Sequence, residues 1–387
     1  MKRIYMDYAA TTPVDPRILK TMKPYFSKKF GNSMSLYHLG REAKDALEES
    51  REKIASFMNA DANDLIFTGS ATESDNMALK GIAFANKEKG KHIIISCIEH
   101  HAVLDTAKWL QNQGFELTLL PVDKYGFLDL KKLEESIRKD TIIVSIMHAN
   151  NEIGTIEPLE EIGKICRENG VYFHTDATQS FGKIPIDVKK MNIDLLTCNA
   201  HKMYGPKGVG ALFIRNGVKI EPLLHGGGHE FGLRSSTVNT AGIVGFAAAV
   251  DISKKEMDSD AKRITKLRDM LIEKVLKIEK SHLNGHPKIR LPNNANFWFS
   301  YIEGESLILH LDIKGVAAST GSACSSESLE PSHVLIAIGL KHEEAHGSLR
   351  LTMGKYTTKE EIDYVAEVLP GIVESLRKIS PFKRDCK

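Results

Sequence analysis

The sequence predicts an α/β protein with a mostly parallel central sheet sandwiched by helices, plus a smaller α+β C-terminal domain. Three observations predict it. From about residue 45 to 215, short β-rich runs alternate with amphipathic helical stretches, the pattern of a parallel sheet whose crossovers cover its faces. After about residue 255 that alternation gives way to a charged helix and sparser strands. The 387 residues are also too many for one ordinary core. The reading assigns 15–255 to a large domain, and 1–14 with 256–387 to a small one.

In chain order the predicted strands are "LIFT" (65–68), "HIIIS" (92–96), "FELTLLP" (115–121), "TIIVSIM" (141–147), "VYFHTD" (171–176), "LLTCNA" (195–200) and "VGALFI" (209–214). They are rich in β-branched and aromatic residues. The stretches "HAVLDTAKWLQNQG" and "LEEIGKICRENG" carry apolar residues at helical spacing and close on a glycine, the usual left-handed cap. The small domain then reads as a charged helix over about 253–280, the run "LPNNANFWFSYI", a loop at about 318–330, and a last helix opening at "TTKEEIDYVAEVL".

Composition narrows the function classes. Lys and Arg total 52 against 50 Asp and Glu, a net charge of +2, which argues against nucleic acid as the main ligand. The longest apolar runs are too short to span a bilayer, and "MKRIYMDYAATTP" has no apolar core of a secretory signal. Five cysteines, at 97, 166, 198, 324 and 386, lack metal-site spacing and cannot all pair. That pattern points to a reducing, cytoplasmic setting. Cys97 and Cys198 are expected at buried strand ends, Cys166 on a helix and Cys386 in a frayed tail.

Ligands of such sheets bind beyond the carboxyl ends of the strands, so the polar residues there carry the functional signal. In "FTGSATESDN", Gly69 permits a sharp turn and Ser70-x-x-Glu73 reads as a capping box. The N–H groups of Ala71 and Thr72 then either belong to an ordinary capped helix or meet a phosphate. In "YFHTDATQS", Asp176 ends a strand with Gln179 close behind; it can cap a helix or bind a cationic ring nitrogen. In "CNAHKMYGPKG", Lys202 at a strand end can form a Schiff base if desolvation removes its proton, whereas Lys207 reads as a solvated turn residue. In "IEHHAVLD", adjacent His100 and His101 chelate poorly, and His100 suits stacking or proton relay. A phosphate cradle, an acid for a ring nitrogen, a Schiff-base lysine and a flat histidine together describe a pyridoxal 5'-phosphate (PLP) site.

Nearly the whole length carries further motifs: "MDYAATTPVDP", "HANNEIGTIEPLEEI", "HTDATQSFGK", "HKMYGPKGVGAL", "HGGGHEFGLRSST", "STGSACSS", "LEPSHVL" and "SLRLTMGKYTTKEEID". With these the sequence closely resembles the cysteine desulfurases of the NifS/IscS type, class V PLP-dependent enzymes of aminotransferase fold type I. The length of the cysteine loop is similar to that of the long-loop, IscS-like subgroup. The resemblance implies PLP bound as a Schiff base on Lys202, with His100 stacked on the ring and assisting proton transfer. It implies Asp176 at the ring nitrogen, and Gln179 and Asn151 at the ring oxygen and substrate side. Ala71, Thr72, Asn199 and His201 would hold the phosphate, with Thr237 reaching it from a second subunit of a homodimer. Arg350 would clamp the substrate carboxylate, and Asn32 and Asn151 would line the substrate side.

The resemblance makes Cys324 the nucleophile that takes sulfur from L-cysteine, leaves L-alanine, and passes a persulfide to an acceptor. That acceptor would be an iron–sulfur scaffold of the IscU/NifU type or a tRNA-thiolation partner. No intrinsic metal site is implied, only transient ligation of a cluster by Cys324 shared with such a scaffold. The Ser- and Gly-rich "ASTGSACSSES" (318–328) reads as a loop able to carry the thiol to and from the pocket. The chain departs from the family pattern at Tyr37 within "GNSMSLYH", at Asn199, and at Phe231 and Ser236, where Arg and Gly are frequent. A selenocysteine lyase of the same class is the nearest alternative, and Cys324 distinguishes the two. A non-catalytic scaffold is disfavoured by the presence of Lys202, His100, Asp176, Cys324 and Arg350 together.

Overall fold

A computed structural model describes residues 3–321 and 330–380. A two-residue strand β1 (Ile4–Tyr5) precedes a seven-stranded sheet built from β2 (Leu65–Thr68), β3 (His92–Ser96), β4 (Glu116–Leu120), β5 (Thr141–Ser145), β6 (Tyr172–Asp176), β7 (Leu195–Asn199) and β8 (Gly210–Ile214). The spatial order is β2-β8-β7-β6-β5-β3-β4. Only β8 runs antiparallel to its neighbours; the other pairs are parallel. Each predicted strand is present, trimmed by up to two residues at its ends.

The sheet is covered on both faces because its central strands are apolar at consecutive positions, not only alternate ones. Ile93 and Ile95 join Met77, Leu79, Val103 and Leu104 on one face. Ile94, Val144 and Phe173 join Ile54, Leu47 and Phe246 on the other. The order reverses beside β3, which lies between β4 and β5, and crevices open beyond the strand ends at such reversals. The segments after β3, β5, β6 and β7 are therefore set to converge.

A second sheet follows the order β12-β10-β9, with β9 (Ser281–Asn284), β10 (Asn294–Phe299) and β12 (Ser348–Thr352), while β1 pairs with β11 (Val316–Ala317). Its core holds Phe297, Phe299, Leu349 and Leu351 against Leu307, Val365 and Leu369. The predicted helix over 253–280 instead spans Thr240–Val275. Asn239 caps it, its Oδ1 accepting from Gly242 N at 3.0 Å. Ile243, Phe246 and Val250 pack in the first core, and Ile264, Leu271 and Val275 in the second. The composition change near 255 thus marks a change of packing partner inside one continuous helix, not a break in the chain.

Two ties join segments distant in sequence. Residues 4–15 form a strap between the sheets. Met6 N donates to Ala317 O at 2.8 Å, Thr352 N to Met6 O at 2.7 Å, Thr12 N to His201 O at 3.1 Å and Asp15 N to Tyr204 O at 3.0 Å. Arg51, with a side chain 2% exposed, grips Glu230 through Nη1 and Nη2 at 2.8 Å each. Glu230 in turn accepts from Phe67 N at 2.7 Å, which pins the glycine-rich 225–237 segment to the sheet edge. Phe231 lies over the Arg51 guanidinium at 5.0 Å, so this departure from the family pattern has a partner. Ser236 adopts φ +153°, a backbone setting that a glycine takes more freely. Among the described residues no helix is long and apolar enough to cross a membrane.

A candidate active site at the strand ends

The carboxyl ends of β3, β5, β6 and β7 and the start of the helix Ala71–Ala85 enclose a cleft of about 970 Å³ open to solvent. Ten of the predicted residues line it: Ala71, Thr72, His100, Asn151, Asp176, Gln179, Asn199, His201, Lys202 and Arg350. The Lys202 Nζ donates to Ala9 O at 2.5 Å and Ala10 O at 2.7 Å, so the N-terminal strap supplies acceptors that "HKMYGPKG" alone did not reveal.

Opposite lies the helix start. Ser70 Oγ accepts from Glu73 N at 3.1 Å, but the Glu73 carboxylate takes Gly69 N at 2.8 Å and Arg234 Nε at 2.7 Å. The return half of the predicted capping box is thus displaced by one residue, because Arg234 draws the carboxylate outward. Ala71 and Thr72 sit in the first turn, where main-chain N–H groups have no acceptor within the helix and the helix dipole favours an anion.

His100 caps the next helix. Its Nδ1 accepts from Ala102 N at 3.1 Å, which assigns the ring proton to Nε2. Burial lowers its pKa, against the nearby Asp176 charge and with help from Lys202, so the ring is a neutral plane. His201 accepts or donates at Nδ1 with Thr11 Oγ1 at 3.1 Å. Burial, with Lys202 and Lys207 beside it, pushes its pKa down to about 4. Asp176 Oδ1 accepts from Thr178 N at 2.8 Å.

Arg350 on β12 is 3% exposed. Its Nη1 donates to Asn151 O at 3.0 Å and Gly321 O at 3.1 Å, and its Nη2 to Asp7 Oδ1 at 2.9 Å, while Nε has no acceptor among the described residues. The expected two-pronged hold on a carboxylate therefore starts from Nε and must draw Nη2 from Asp7. Asn150 builds the turn that presents Asn151, its Oδ1 accepting from Glu152 N at 2.9 Å and Ile153 N at 3.0 Å.

Two predicted residues stand elsewhere. Asn32 is exposed and outside the cleft; its Oδ1 closes a local turn onto Met34 N at 3.0 Å. Thr237 is also exposed and away from this cleft. Cys324 lies outside the described residues, as does Cys386. Cys166 and Cys198 are buried, but Cys97 is only half-buried, because β3 ends one residue before it.

Sequence reasoning missed Asp75, one turn after Ala71, which also lines the cleft. It is 1% exposed, its carboxylate makes no close hydrogen bond among the described residues, and its polar neighbours are Thr197 and His174 Nε2 at 3.6 Å. Burial pushes Asp75 well above the usual carboxylate range, and the Asp176 charge adds to it. The signal in "SATESDN" was an acid four residues past the cradle, on the face turned to the strand ends.

The chain matches the Aminotransferase class-V family over residues 4–365. The chain belongs to this family. It is 56% identical to cysteine desulfurase IscS of Dictyoglomus turgidum, covering 100% of this chain and 99% of that protein. It is 57% identical to cysteine desulfurase IscS of Methanosarcina thermophila, covering 98% and 94%. Its fold superposes on a NifS-like protein with a TM-score of 0.92 at 40% identity, over 97% of this chain and 100% of that one. It superposes on SspA in complex with cysteine with a TM-score of 0.82 at 38% identity, over 92% and 100%.

The class V family is PLP-dependent, and the cleft fits such a group on its own terms. Its wall carries polar atoms without partners, Asn199 Oδ1, Thr178 Oγ1 and Arg350 Nε, which a bare pocket leaves costly. A planar neutral histidine, a carboxylate, an anion-favouring helix start and a lysine amine face one another across it.

Beneath the cleft, His148 is 3% exposed with an unpartnered Nδ1, and burial pushes its pKa down from 6.5 to about 4. The unfolded chain binds this proton below about pH 6.5, whereas the folded chain refuses it until about 4, so stability falls as the pH drops through that window. His148→Gln should reduce the loss of unfolding free energy between pH 6.5 and about 4.5 by up to about 2 kcal/mol. Denaturant midpoints measure it, and an unchanged pH slope would contradict a neutral, buried His148.

Proposed function

We propose that the chain is an L-cysteine desulfurase that uses PLP in this cleft to convert L-cysteine to L-alanine, leaving the sulfur as a persulfide on Cys324. The observation that carries this reading is the convergence of Lys202, Asp176, Gln179 and His100 on one cleft with the unpartnered Arg350 Nε at its rim. When bound, the cofactor supplies an electron sink conjugated with the substrate's Cα.

The chain's own residues do the rest. Lys202 Nζ would leave the carbonyls of Ala9 and Ala10 to hold the cofactor, and its amine would be the base for the substrate's Cα proton. The first-turn N–H groups of Ala71 and Thr72, with Asn199 and His201, would hold the phosphate, and Asp176 would pair with the ring nitrogen. His100 would offer its neutral ring for stacking. Arg350 holds the substrate carboxylate, which fixes the thiol end of the amino acid. The Cys324 thiolate attacks the substrate sulfur. The S–S bond forms as the Cβ–S bond breaks and its electron pair returns to Cβ; a proton taken up at Cβ and return of the Lys202-held proton to Cα complete alanine. The persulfide then passes to an acceptor, an iron–sulfur scaffold of the IscU/NifU type or a tRNA-thiolation partner, in the cytoplasm.

The working unit is a homodimer. Met34, Leu36 and Phe231 are 58%, 89% and 56% exposed apolar side chains, the kind of surface that marks a contact site when gathered together. Met34, Leu36 and Phe231 border one groove with Val238, and Asn32 and Thr237 flank it in sequence. A two-fold pairing there would carry Thr237 and Asn32 to the partner's cleft. Leu36→Asp should shift the sedimenting species from dimer to monomer; a dimer of unchanged stability would refute this face.

Cys324→Ala should keep the cofactor's visible band while losing release of sulfide from L-cysteine under reducing conditions by at least about a hundredfold. Sulfide release at the parent rate would refute the persulfide step.

A further inference from the structure

Gln179 reaches the heart of the cleft by way of the strap. Its Nε2 donates to Ala9 O at 3.0 Å, the carbonyl that also accepts from Lys202 Nζ at 2.5 Å. This works in one orientation of the amide only. Turned over, Oε1 would face Ala9 O, two acceptors in a place 5% exposed, which is an expensive arrangement. The structure shows what holds the favourable orientation. One turn along, Lys183 Nζ donates to Gln179 O at 2.8 Å and to Gln179 Oε1 at 3.2 Å.

We propose that Lys183 is a positioning residue for the cofactor: by donating to Gln179 Oε1 it keeps Nε2–H turned to Ala9 and the cleft, so that Gln179 meets the cofactor's ring oxygen as a donor. The inference rests on reading the cleft as a PLP site. It gives a use to a lysine that the reaction itself does not touch.

The surroundings of Lys183 are compatible with this duty. Its stem crosses an apolar cavity with Met203, Met257 and Met353 in its walls. The ionisable groups around that cavity are Tyr8, Lys202, Tyr204, Glu256, Asp260 and Lys355, and His201 adjoins through its own interaction with the amine. Loss of solvent, with the Lys202 charge second, pushes the Lys183 amine down to about 7. A neutral amine keeps two N–H donors, so the grip on Gln179 persists on either side of that value.

The test is the visible absorption of the holoenzyme against pH, which reports the proton on the Lys202–cofactor linkage. Without Lys183 the Gln179 carbonyl can turn to the ring oxygen and disfavour the form in which that oxygen is most negative. Lys183→Met should move the colour change up by about one pH unit, the size of one lost hydrogen bond. Losing the Lys183 charge pushes the same way, so the measurement is repeated in Gln179→Ala. There the added effect of Lys183→Met should shrink to a small fraction of that shift. An equal shift in both backgrounds, or none in either, would overturn the proposal. Parent protein with no pH-dependent visible band would instead refute the cofactor reading.

Should Lys183→Met not fold, side-chain amide exchange in holoenzyme carrying isotope-labelled glutamine decides the matter on the parent protein. Protection of the Gln179 Nε2 protons supports the lock, and rapid exchange overturns it.

Discussion

The site depends on two hydrogen bonds from one amine. Lys202 Nζ is aimed by the carbonyls of Ala9 and Ala10, and those carbonyls are held in place from both sides. Ala9 N donates to Thr352 Oγ1 at 2.9 Å on the second sheet, and Thr12 binds the His201 carbonyl through both its N and Oγ1. Backbone acceptors suit this task because they are fixed by the fold and cannot titrate. The same strap carries Asp7 to Arg350, so the lysine end and the carboxylate end of the cleft are set by one segment that belongs to neither wall. Displacing the strap would disturb both ends at once.

Around this centre the fold leaves polar groups unfinished. Asn199, Thr178 and Arg350 each present an unpartnered atom, and the helix start at Ala71 presents N–H groups that no helix can satisfy internally. Stability alone would remove such groups, since buried donors and acceptors without partners are penalised. Their gathering in one cleft is the mark of a surface completed by a ligand. The buried carboxyls behind it, Asp75 and Glu99, are pushed well up chiefly by burial, with the Asp176 charge adding.

Much of this was legible in the sequence, for identifiable reasons. The strands showed because runs buried on both faces are β-branched and short, and Gly114 and Gly170 marked helix ends because both adopt positive φ. Lys202, Asp176 and Gln179 could be singled out because each sits just past a strand. What escaped depended on partners distant in sequence. The Asp7–Arg350 pair spans most of the chain and the Ala9–Lys202 bond half of it, and main-chain carbonyls leave no trace in residue type. Asn32 lies outside the cleft of its own chain, and a motif gives identity without direction. The helix Thr240–Val275 was cut short because its apolar first half resembles a buried core segment and its charged second half a separate element.

The central claim is that Lys202, among the lysines near the cleft, carries the cofactor. Holoenzyme reduced with borohydride, digested, and mapped by mass spectrometry tests it directly. The account predicts a phosphopyridoxyl group on the peptide bearing Lys202 alone. The same group on Lys183 or Lys207, or on no lysine of a coloured preparation, would contradict it.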